Sequence, residues 1–101
     1  MTNQTEISIR EVQQDLGIIC SFLKSSDPDR NSQAAPQLVA LIERFRDSSA
    51  TRTKVGATIY DLMIRARENI RIGCVRDALA FLAEARDLAT MGKPAAGETA
   101  E

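Results

Sequence analysis

The side chains best suited to covalent or metal chemistry are scarce here: two cysteines and no histidine in 101 residues. Cys20 and Cys74 lie 54 positions apart, which is neither a zinc spacing nor a CxxC redox motif nor a disulfide framework. A cysteine nucleophile needs a base, normally histidine, and none is present. Cys20, set among Ile18, Ile19 and Phe22, reads as a buried, inert thiol. Two carboxylate pairs, Glu43–Asp47 and Glu84–Asp87, have the helical spacing that could present both groups on one face. Each abuts an arginine, however, and no Glu-x-x-His accompanies them as in carboxylate metal bundles. They read as solvated faces. We therefore expect no catalytic residue, no metal site and no cofactor, and a protein that is not an enzyme.

Arginine is the other chemically expressive residue. Arg65, Arg67, Arg71 and Arg76 follow Arg52 and Lys54, and residues 43–76 hold eight basic against four acidic side chains. The flanks reverse the sign, with three basic and five acidic over 1–42, and two and five over 77–101. Such a cluster could contact phosphates, with the helices on either side of residues 47–53 as a helix-turn-helix. Against this, Asp61 precedes Arg65 by one turn, Glu68 lies beside Arg71, and the connection from Asp47 to Thr53 exceeds the short turn of that motif. The net charge of −1 supplies no general attraction to a polyanion. The four arginines are expected to form an orienting rim of a protein contact. A nucleic-acid-binding regulator using segment 44–76 is the alternative.

These groups must be positioned by helices. Aromatics are only 4% of residues and β-branched residues do not alternate, so strands are not expected. Ile9, Val12, Leu16, Ile19 and Leu23 step by three and four, predicting a first helix that ends near Ser25. The second is expected to be capped by Ser32, with Pro36 in its first turn, and to present Leu38, Leu41, Ile42 and Phe45. The third spans about Thr53 to Ile72 and stops at Gly73; the fourth follows at once and stops at Gly92-Lys93-Pro94. The chain is thus read as an all-α, four-helix antiparallel or partly open bundle. Residues 1–92 form one domain in this reading and 93–101 a disordered tail.

Apolar residues exceed what one seam requires. Ile18 and Phe22 lie beside the seam of helix 1, and Phe81 and Leu88 beside that of helix 4. A chain of this size buries only ~60–70% of its unfolded surface. Ile18, Phe22, Phe81 and Leu88 are therefore expected to anchor a partner or dimer interface, with Arg65, Arg67, Arg71 and Arg76 at its rim. Over about a third of the chain, Leu62, Ala66, Gly73, Ala78, Leu82 and Ala85 fall at intervals similar to those of a tetratricopeptide hairpin. Asn69 replaces the expected aromatic and helices 1 and 2 do not repeat the pattern, so the spacing is that of a generic helical hairpin. Nothing in the sequence resembles a signal peptide or a membrane span. The expected role is a small cytoplasmic regulatory or adaptor protein, homodimeric, binding another protein in the manner of an antiactivator or chaperone.

Overall fold

Ser8 opens the first helix. Its hydroxyl accepts from the Glu11 amide at 3.2 Å while the Glu11 carboxylate accepts from the Ser8 amide at 3.0 Å, a reciprocal capping box. Helix α1 then runs Ile9–Lys24. Ile7 and Val12, on either side of the cap, both enter the core. The computed structural model describes residues 7–98, and side chains through Thr90.

Helix α2 begins earlier than its sequence suggests. It spans Pro28–Arg46, capped by Asp27, whose carboxylate accepts from the Asp29 amide at 3.0 Å. Pro28 both prevents α1 from continuing and, with its fixed φ and missing N–H, suits the first position of α2. Ser32 is therefore an interior residue rather than the cap, and Pro36 lies within the helix. Pro36 is accommodated because it and Ser32, whose carbonyl loses its intrahelical donor, are both exposed.

A short 3-10 turn, Ser49–Arg52, occupies what the sequence presents as a plain polar connection. Ser48 organises it: the hydroxyl accepts from the Ala50 amide at 3.1 Å and donates to the Ile7 carbonyl at 2.9 Å, joining positions 41 residues apart. Thr53 caps α3, Lys54–Arg71, by accepting from the Gly56 amide. At the other end Gly73 adopts φ 88°, the Gly73 amide donates to the Ile70 carbonyl and the Cys74 amide to that of Asn69. This Schellman closure is the role the sequence assigns to Gly73. Helix α4 spans Val75–Glu98, so its backbone passes the Gly92-Lys93-Pro94 stop. The tail expected over 93–101 has its side chains, and residues 99–101 altogether, outside the described residues.

The all-α bundle expected from the pattern is what the chain forms. α1 packs on α2 and on α4, α4 on α3, and α2 on α3 at the sparsest of these junctions. Asn31 Nδ2, near the start of α2, donates to the Leu23 carbonyl at the end of α1. Ser48, just past the end of α2, reaches Ile7 before the start of α1, so the two helices run antiparallel. Leu16, Ile19, Leu38, Phe45, Ile59, Met63 and Leu82 are fully buried, and three α4 alanines, Ala78, Ala85 and Ala89, lie among them at zero exposure. Alanine at these positions lets α4 approach its neighbours closely. The shortest dimension is 19 Å, about two helices thick. Every helix therefore keeps an outward flank, and neither α1 nor α4 is enclosed all round.

Candidate functional site

The flank of α1 beside α2 carries the most accessible apolar group of the anchors named from sequence. Ile18 is 48% exposed. It lines a groove of about 200 Å³ together with Asp15, Ile19, Gln37, Ala40, Leu41 and Arg44. Small-molecule sites enclose roughly 300–1,000 Å³ and cover most of their ligand. This groove is smaller and half open, so it suits a side chain from another protein better than a metabolite. Arg44 Nη1 reaches across it to Asp15 Oδ2 at 3.8 Å, with both side chains substantially exposed. A pair so long and so wet holds the helices together only weakly.

Phe22 lies one turn beyond Ile18 on the same flank and is half-buried against the core. Phe81 and Leu88 are also half-buried, on α4. They do not join the first pair. The Arg86 guanidinium lies across α1 at Gly17, where an added Cβ would sit 3.7 Å from its Nε. Arg86 therefore marks the α1-facing flank of α4, and at 100° per residue Phe81 and Leu88 are roughly 140–160° round the helix from it. The four anchors form two separate patches, one beside α2 and one turned away from α1. A further exposed apolar residue, Ile72 at 64%, sits in the α3–α4 turn and was not singled out from sequence. As the residue before the Schellman glycine it had the signal of a helix end, where side chains project into solvent.

The arginine rim is largely occupied within α3. Arg65 Nε pairs with Asp61 Oδ2 at 2.8 Å, Arg71 Nη2 with Glu68 Oε1 at 2.8 Å, and Arg67 Nη2 with Glu68 Oε2 at 3.6 Å. The hydrogen bond and charge of Arg71, assisted by Arg67, hold the Glu68 carboxyl below its ordinary range; the same contact raises Arg71. Arg76 has no ion pair among the described residues. Of the arginines of α3, Arg65 thus has Asp61 as its counter-charge, and Arg67 and Arg71 share Glu68.

Cys20 is buried, and burial pushes its thiol up against the opposing influence of the Arg86 and Lys24 charges, so it favours the neutral form. Cys74 is exposed and unpaired with Cys20. Glu43, Asp61 and Glu84 are all on the surface. Ser48 is the buried polar residue of the described core, and its hydroxyl is satisfied. Among the described residues no three His, Cys, Asp or Glu side chains gather as a metal cluster, and no helix is long and apolar enough to cross a membrane.

Compared with family models, curated proteins and solved structures, the chain matches none of them, so the functional reading must rest on these surfaces alone.

Proposed function

We propose that this chain is a non-enzymatic regulatory or adaptor protein of the cytoplasm that acts by binding another protein and covering part of its surface. The observation that carries the reading is Ile18, nearly half exposed in a groove with Phe22 one turn away. A second aromatic patch, Phe81 with Leu88, lies half-covered on α4. Residues of this kind, desolvated at the centre of a contact, contribute most of a protein interface's affinity. The arginines of α3 act at the rim, where exposed charges orient a partner and set its rate of approach rather than its final affinity. Occlusion by two such patches suits an antiactivator, which masks a surface, and equally a chaperone that holds an apolar segment.

The test is capture of a partner from a lysate of the native host by the immobilised full chain, compared with F81D and I18E. Recovery of a protein that persists from about 50 to about 500 mM salt, and is lost in either variant, supports the reading, because apolar anchoring does not depend on counterion release. Recovery of nucleic acid instead, falling steeply with salt and unchanged in both variants, overturns it in favour of the basic segment 44–76.

A further inference from the structure

We propose that the outer flank shared by α1 and α2 is a self-pairing surface, onto which a second copy of this chain docks about a two-fold axis running along the groove. This rests on the reading above, that apolar groups left outside the core are there to be covered, and it names the occupant of one patch.

Two rows of residues face outward along this groove. On α1 they are Glu11, Asp15, Ile18 and Phe22; on α2 they are Gln33, Gln37, Ala40 and Arg44. Both rows step by four, three and four, so each keeps to one flank of its helix, distinct from the seams that fill the core, with Ile18, Phe22 and Ala40 as the apolar members. All eight residues are exposed or half-exposed. The molecule therefore carries an outward two-helix face on which Ile18 is the most exposed large apolar group.

Charge selects the occupant. Within the seam, acidic groups lie only on the α1 row and the basic group, Arg44, only on the α2 row. Because Asp15 and Arg44 already meet across the groove, they stand at one level along it. A two-fold axis parallel to the helices preserves that level and sets α1 of each copy against α2 of the other. Asp15 then meets the second copy's Arg44, and the reverse contact follows by symmetry. Ile18 is brought onto Ala40 and Gln37 beside this ring of four alternating charges. An axis across the helices would instead set α1 on α1 and α2 on α2, so that Asp15 and Arg44 meet either like charges or uncharged positions. Because the internal pair is long and solvent-exposed, turning either group toward a second copy costs little. A 16-residue helix is ~24 Å long and two helices are ~20 Å wide, so each copy offers about 500 Å², near the lower bound of ~1,000 Å² in total for a specific interface. An interface of that size belongs with the weak, reversible contacts, and a dissociation constant on the order of micromolar is the expectation to test.

Sedimentation velocity on the purified full chain between about 1 and about 500 µM tests this, since that range brackets a micromolar dimer. The wild-type chain is expected to pass from monomer to dimer, and I18E to weaken the dimer at least ~10-fold with an unchanged circular dichroism spectrum. D15R makes the groove wholly basic at the charged level and R44D makes it wholly acidic. Each alone should stay monomeric, and a one-to-one mixture should form a heterodimer. A wild-type chain that remains monomeric throughout, an unaffected I18E dimer, or a mixture that fails to associate overturns the proposal. A monomeric wild-type chain whose lysate partner is still lost in F81D overturns self-pairing alone and leaves the protein-binding function standing. A groove that instead takes a helix of another protein would give that same monomer, with capture lost in I18E.

Discussion

The closed end and the outer flank of the α1–α2 hairpin are built on opposite terms. Where α2 gives way to α3, Ser48, Ala50, Thr53 and Gly56 are locked together by side-chain and backbone hydrogen bonds, and Ile7 is drawn in from the other end of the sequence. Along the outer groove, by contrast, Ile18 is half exposed and the one cross-groove ion pair is stretched to 3.8 Å. The first region has no spare valence and no spare volume; the second has both. Stability should therefore be vulnerable at the closed end, and association at the open groove.

The sharpest way to break this contrast is at glycine. A Cβ at Gly56 would run into the Ala50 carbonyl oxygen, which the Thr53 hydroxyl already holds in place at 2.8 Å. At Gly17 the same atom meets only the flexible end of Arg86 at ordinary contact distance. Alanine is intrinsically about 1 kcal/mol better than glycine in a helix, so without obstruction both changes would stabilise. We expect G56A to destabilise by about 3 kcal/mol and G17A to stabilise by up to ~1 kcal/mol in urea unfolding. Equal signs for the two would remove the distinction between the regions.

Next in size is S48A. The hydroxyl it deletes donates to the Ile7 carbonyl at a site 3% exposed, so a buried acceptor loses its donor. A loss of about 1–3 kcal/mol is expected, with faster hydrogen exchange at the start of α1 as its local signature. I18E should do the reverse. A half-exposed position tolerates a charge within about 0.5 kcal/mol of stability, while dimer formation and partner capture fall.

The two regions also differed in how far the sequence disclosed them. The seams of all four helices, the Thr53 start of α3 and the Gly73 stop follow from spacings of a few residues, and local patterns report local structure. That Pro28 opens α2 behind Asp27 is not legible in any spacing, because it depends on the cap geometry. The Ser8–Glu11 box was present as a Ser-x-x-Glu pattern and could have been found. The Ser48–Ile7 bond could not, because nothing in either neighbourhood specifies a contact 41 residues away. For the candidate surfaces, the excess of apolar groups at Ile18, Phe22, Phe81 and Leu88 was legible, but their division into two patches was not. That division depends on which flank of α4 receives α1, a tertiary fact that Arg86 over Gly17 reveals.

The smallest effect expected concerns the third surface, the partly paired arginines of α3. Glu68 carries two of them, and its carboxyl is held below the ordinary value of 4.5, chiefly by the hydrogen bond from Arg71. A carboxyl depressed in the folded state favours folding above its unfolded value, and that contribution disappears as pH falls through the lower, folded one. E68Q should therefore lower the neutral plateau of the melting-temperature profile slightly, since the pair is exposed to solvent, and converge on the wild-type curve as pH falls below about 4.5, flattening the acid side by that same small amount. The same substitution releases Arg67 and Arg71 from their counter-charge. If segment 44–76 were held in check only by Glu68, E68Q would acquire DNA binding with a steep salt slope. We expect none from low to moderate salt, because Asp61 still engages Arg65 and the acidic flanks of the chain remain.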